Sequence, residues 1–145
     1  MTDELIYQSV KKGTALNEAI EQTLKGKELK MPKDLSFEDK DGTIRTEIRI
    51  KWWEDPSLMT YKSISVEPIS ALPEEQIDLS DLTSLDFYGN KDKNVFFGHY
   101  WLAGEPNLLK ENICCLDYSI AKAGKLVAYR LNEETILVNK NLTFV

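Results

Sequence analysis

Val95-Phe96-Phe97-Gly98-His99-Tyr100-Trp101 begins as a short apolar strand and breaks at a glycine. Beyond it, Ile113 to Tyr118, Lys125 to Leu131 and Thr135 to Val138 are further short, β-rich segments. Turn signals separate them, among them Gly104-Glu105-Pro106 and Asn132-Glu133-Glu134. Three or four strands pairing in sequence as an antiparallel meander is the economical arrangement for residues 93–145.

Upstream, residues 55–92 read as an irregular connection. Prolines at 56, 68 and 73 interrupt any period, Glu74, Glu75, Asp78 and Asp81 make the stretch acidic, and one short strand is expected around Ile64 to Val66. Residues 33–54 read as a β-hairpin, with Leu35-Ser36-Phe37 and the run from Thr43 to Trp53 flanking Asp39-Lys40-Asp41-Gly42. Gly42 can take the positive φ that such a turn needs. Along the second strand Ile44, Thr46, Ile48, Ile50 and Trp52 point one way and Arg45, Glu47, Arg49 and Lys51 the other, the pattern of a half-buried strand. Residues 1–26 read as helical: Thr14 as N-cap, Leu16, Ala19, Ile20 and Leu24 at helical spacing, Gly26 as C-cap, and a shorter helix over 3–11 before Gly13. The expected fold is α+β, one domain over 1–145, with N-terminal helices, a hairpin and a mostly antiparallel C-terminal sheet.

With 42% hydrophobic and 29% charged residues the chain has the composition of a folded globular protein rather than a disordered one. A net charge of −6 works against bulk attraction to nucleic acid or to an anionic membrane, so neither is an expected partner. Acids stand where a signal peptide would carry positive charge, and no apolar run is long enough to suggest a membrane span. Cys114 and Cys115 are adjacent, and a disulfide between them would be badly strained, so free, buried thiols in a reducing cytoplasm are expected.

The succession from Val95 to His99, through Asn112-Ile113-Cys114-Cys115-Leu116-Asp117-Tyr118-Ser119, to Gly124-Lys125-Leu126-Val127-Ala128-Tyr129-Arg130-Leu131 resembles the C-terminal end of calcineurin-like metallophosphoesterases. It is most similar to the branch holding protein serine/threonine phosphatases and symmetrical diadenosine tetraphosphatases. There a Gly-His strand end is followed by Asn, a strand closing on Asp, and a strand beginning Gly-Gly-x-Leu. The stretch from Leu24 through Trp53 also looks like a segment of one bacterial subgroup, without a catalytic motif. The resemblance implies that the C-terminal strands form part of a two-sheet sandwich. It also implies that His99, the single histidine, matches a ligand of a dinuclear Mn, Fe or Zn centre. In that setting Gly98 would let the backbone pass close to other loops.

Two departures qualify what is implied. Trp101 stands where many relatives carry a second histidine, as Gly-His-x-His, which narrows the branch. The family's Asp-x-His, Gly-Asp-x-x-Asp and Gly-Asn-His-(Asp/Glu) motifs are absent from the sequence. One inherited ligand does not make a two-metal site. The expectation is therefore the C-terminal part of a phosphoesterase, catalytically silent by itself, with no cofactor of its own and low metal occupancy at His99. Its partner would be the missing N-terminal half or a second copy. A non-enzymatic module that binds a partner or oligomerises is the alternative, and an unrelated α+β domain that imitates the motifs is a third reading.

The other candidates read as structural. The resemblance implies that Asp117 organises the turn after its strand. Arg45, Arg49 and Lys51 form a solvated basic face, Trp52, Trp53 and Trp101 pack in the core, and Glu18 and Glu21 lie on a solvated helix face.

Overall fold

The computed structural model describes residues 2–39, 42–82 and 87–145 and has an α+β architecture. Thr2 caps helix α1 (Asp3–Val10) by accepting from the Leu5 N–H, and Thr14 caps helix α2 (Ala15–Lys25) by accepting from the Asn17 N–H. Gly26 ends α2 at φ 91°, and a Cβ there would collide with the Tyr100 ring, so both conformation and packing demand glycine. Both helices follow the expected bounds, but their apolar faces are not sealed. Neither buries an apolar side chain, and Leu5, Ile6, Tyr7, Val10 and Leu24 are exposed.

The expected hairpin forms only at its tip, where β2 (Phe37–Glu38) pairs antiparallel with β3 (Ile44–Arg45). The Asp39 carboxylate accepts from the Thr43 N–H and Gly42 takes φ 79°, while Lys40-Asp41 lie outside the described residues. The long second strand then divides. β4 (Glu47–Arg49) leaves the hairpin and pairs with β1 (Glu28–Lys30), a strand the sequence did not announce. Because the strand changes partner, Ile44 stays in solvent while Ile48 and Ile50 are buried, and the single apolar face expected from 44 to 52 does not exist.

Residues 55–82 depart furthest from expectation. A 3-10 turn (Pro56–Leu58) leads to α3 (Tyr61–Ile64), whose N-terminus is closed by a reciprocal Thr60–Ser63 cap. The expected strand at 64–66 is therefore a helical turn followed by an isolated bridge between Ser65 and Ile50. A last helical turn, α4 (Leu79–Leu82), follows. This stretch supplies half of the aliphatic core, since Tyr61, Ile64, Leu72 and Ile77 pack on Leu29, Met31, Ile48 and Ile50. The Tyr61 hydroxyl donates to Asp81 and accepts from the Asp78 N–H, tying the acidic loop to that core.

At the C-terminal end, β5 (Val95–Phe97) pairs in parallel with β6 (Ile113–Cys115), not antiparallel as in the expected meander. The connection from Gly98 to Asn112 is long enough to return the chain in the same direction without a helix. After Leu116 the strand continues as β7 (Asp117–Tyr118), which pairs antiparallel with β8 (Lys125–Tyr129), and β8 pairs with β9 (Leu142–Phe144). The strand expected at 135–138 is instead an irregular loop. The Tyr129 hydroxyl donates to the Glu134 carboxylate and accepts from the Val138 N–H, and the Leu137 N–H donates to the Glu111 carbonyl, burying Leu137. A second, aromatic core joins the C-terminal strands to the middle of the chain. Trp53, Tyr100, Ile113 and Cys115 form it, with Trp52, Tyr88 and Phe97 at its edge.

Candidate functional site

β5 ends at Phe97, and the next four residues form a spur. Tyr100 roots it: the ring is buried against Trp53 and Phe97, and its hydroxyl donates to the Ile50 carbonyl at 3.3 Å. On either side of this anchor His99 and Trp101 take left-handed φ values of 68° and 48°, which cost energy for residues with a Cβ. Two side chains hold that backbone. The Arg49 guanidinium lies 5.3 Å over the Tyr100 ring and donates to the His99 carbonyl at 2.7 Å. The Asp117 carboxylate accepts from the Trp101 N–H at 3.3 Å and from the Ser119 N–H at 3.1 Å. Asp117 thus organises the turn and is spent on backbone donors. A Cβ on Gly98 would make an ordinary 3.6 Å contact with Asp117, so the close passage suggested for that glycine is not what requires it.

The spur exposes two side chains. The imidazole of His99 makes no hydrogen bond among the described residues and stands 6.1 Å, edge to face, from Trp101. Trp101 is half-exposed with the Lys122 ammonium 4.4 Å over its ring, so it is not the core residue expected, while Trp53 and in part Trp52 are. Two concavities meet at His99. One is an apolar groove of about 760 Å³ between α2 and β5, walled by Trp52, Tyr88, Phe96 and Phe97. The other, of about 240 Å³, is polar, with Glu28, Asp39, Glu47 and Glu67 outnumbering Arg45 and Arg49. Asp39 pairs with Arg45 at 2.8 Å. That surplus of carboxylate makes the polar pocket a poor seat for a phosphate.

The remaining candidates are dispersed. The expected solvated basic face is tied down, since Lys51 donates to the Ser63 carbonyl and Arg45 and Arg49 have the partners above. Glu21 pairs with Lys25 along α2. Cys114 and Cys115 are free and wholly buried. Desolvation pushes their thiols up to about 11 and about 12, which disfavours the thiolate form near neutral pH.

Among the described residues no three His, Cys, Asp or Glu side chains stand together as metal ligands. Among the described residues His99 and the already committed Asp117 do not by themselves supply the ligands of a dinuclear centre. No helix among the described residues is long and apolar enough to cross a membrane. Tyr88 and the groove-facing side of α2 went unnoticed in the sequence: Tyr88 sits in the aperiodic stretch, and an apolar helix face does not reveal what it meets. No family model, no curated protein and no solved structure matches the chain.

Proposed function

We propose that this chain carries the C-terminal part of a metal-dependent phosphoesterase and does not complete a catalytic centre by itself. The observation that carries the reading is the presentation of His99. The imidazole projects from the carboxyl end of a strand, on a backbone held in a costly conformation by Arg49 and Asp117, and no described residue occupies it. Strain of this kind concentrates where a side chain must be aimed. The ligands that would join His99 in holding Mn, Fe or Zn come from outside the described residues, and a cytoplasmic setting suits the two free thiols.

Two measurements test this. Tag-free protein supplied with Mn²⁺ and Fe²⁺ and freed of excess should hold almost no metal and should not hydrolyse p-nitrophenyl phosphate. One or two bound ions per chain, with hydrolysis lost in His99→Ala, would show that a centre is complete here. The family reading is tested separately by the genomic DNA upstream of the Met1 codon. It should encode a Gly-Asp-x-His-Gly stretch in some frame, and a locus without one sinks the assignment.

A second reading, a partner-binding module without catalysis, is favoured by the apolar groove between α2 and β5.

A further inference from the structure

Among the described residues β5 is paired on one edge only. Its Val95 N–H donates to the Asn112 carbonyl at 2.8 Å, and its Phe97 carbonyl accepts from the Leu116 N–H at 2.9 Å. In a parallel pair the residue between two such positions turns its backbone groups the other way. The N–H and C=O of Phe96 therefore point away from β6, and they meet no partner among the described residues. They point toward the side where Val95, Phe96, Phe97 and Gly98 line the apolar groove.

Three further observations describe what would fit there. The opposite wall is α2, which contributes Ala19 and Leu24 beside the polar Gln22 and Thr23. The floor is aromatic: Trp52 packs edge to face with Phe97 at 5.2 Å and with Tyr88 at 5.8 Å. Among the described residues the groove's ionisable groups other than tyrosine, Lys27 and His99, are basic, and no carboxylate lines it. A volume of about 760 Å³ is enough to enclose a ligand.

We infer that the groove binds an extended polypeptide segment, which adds to β5 as a strand through the backbone of Phe96. An open strand edge is completed by another strand, and pockets beside it select alternate side chains. The segment is apolar at every second position, where it meets Trp52 and Phe97, and neutral or acidic between, since basic residues would face Lys27 and His99. It belongs to a different polypeptide chain. A second folded copy is disfavoured, because its own α2 flanks its β5 as a wall and both copies carry a net charge of −6. This inference concerns the groove alone and stands apart from the phosphoesterase reading, which the metal and upstream-coding measurements decide.

The test is a titration of ¹⁵N-labelled full chain with a capped hexapeptide alternating valine with threonine and glutamate. A companion peptide, N-methylated on the amides that would face β5, serves as control. The Phe96 amide should shift and its hydrogen exchange slow at least about tenfold. The methylated peptide should do neither. Ala19→Trp, on an exposed helix position, fills the groove and should abolish binding without moving signals from the aliphatic core; Thr23→Trp repeats the test should the first variant fold poorly. Absence of any shift at about 1 mM peptide, the weak end of recognition, overturns the inference. So does equal binding of the methylated peptide. A Phe96 amide already protected in a particle of twice the chain's mass would make a second copy the occupant and overturn it equally.

Discussion

The aliphatic and aromatic cores share one stretch of chain, residues 48–53, and both have half-buried edges, but only the aromatic edge borders the groove between α2 and β5. Ile48 and Ile50 look into a cluster sealed by Leu72, Ile77 and Tyr61, all below 5% exposed. Three residues on, Trp53 looks into a cluster whose edge residues Trp52, Tyr88 and Phe97 remain half-open to the groove. Among the described residues the aliphatic cluster gathers eight buried side chains, whereas the aromatic one gathers four, with the edge-to-face rings of Trp52 and Phe97 at its rim. The difference is one of placement: the first core lies between the middle strands and the 61–77 stretch, and the second carries the wall of the groove.

That division predicts a ranking of stability losses, measured by urea unfolding. Ile48→Ala should cost about 3 kcal/mol, because a fully buried branched side chain leaves a cavity among neighbours that cannot collapse. Gly26→Ala should cost about 2 kcal/mol, since the new Cβ is strained at positive φ and displaces Tyr100 from the aromatic core. Trp52→Ala should cost only about 1 to 2 kcal/mol despite the larger side chain, because its ring already faces the groove. If Trp52→Ala proves as costly as Ile48→Ala, the groove wall is core and the comparison fails.

Much of this was readable in advance where the signal is local. Helix α2 carries both its caps in sequence, and the hairpin tip follows from Asp39 and Gly42. The aliphatic core was not readable, because Tyr61, Ile64, Leu72 and Ile77 follow no period and lie among prolines and acids. Nor was the parallel direction of β5 and β6: a loop that returns the chain without a helix carries no pattern, so the antiparallel default was wrong there. At the site, His99 was conspicuous as the single histidine, and the turn-forming task of Asp117 was foreseen. Arg49 was read as surface charge, since its contact with the His99 carbonyl spans fifty positions of chain.

The smallest expected effect lies in the C-terminal loop, remote from both cores. Glu134 accepts from the Tyr129 hydroxyl, the Asn132 N–H and the Asn141 side-chain amide. These bonds, that from Tyr129 first, lower its carboxyl from 4.5 to about 2. A lowered carboxyl stabilises the folded chain above its unfolded value, and the benefit fades as pH falls from about 4.5 toward 2. Melting temperature should therefore drop over that window in the native chain and less so in Glu134→Gln. Identical acid profiles would remove Glu134 from the account.

The brace on the spur also orders events in time. The Arg49 bond to the His99 carbonyl closes a loop of fifty positions, while the Asp117 bond to Trp101 closes one of sixteen. Long closures are slow and form after local ones. Helices and hairpin tip need only their neighbours, so the aiming of the imidazole, like the bond from Tyr100 to Ile50 that roots the spur, waits on a closure of fifty positions.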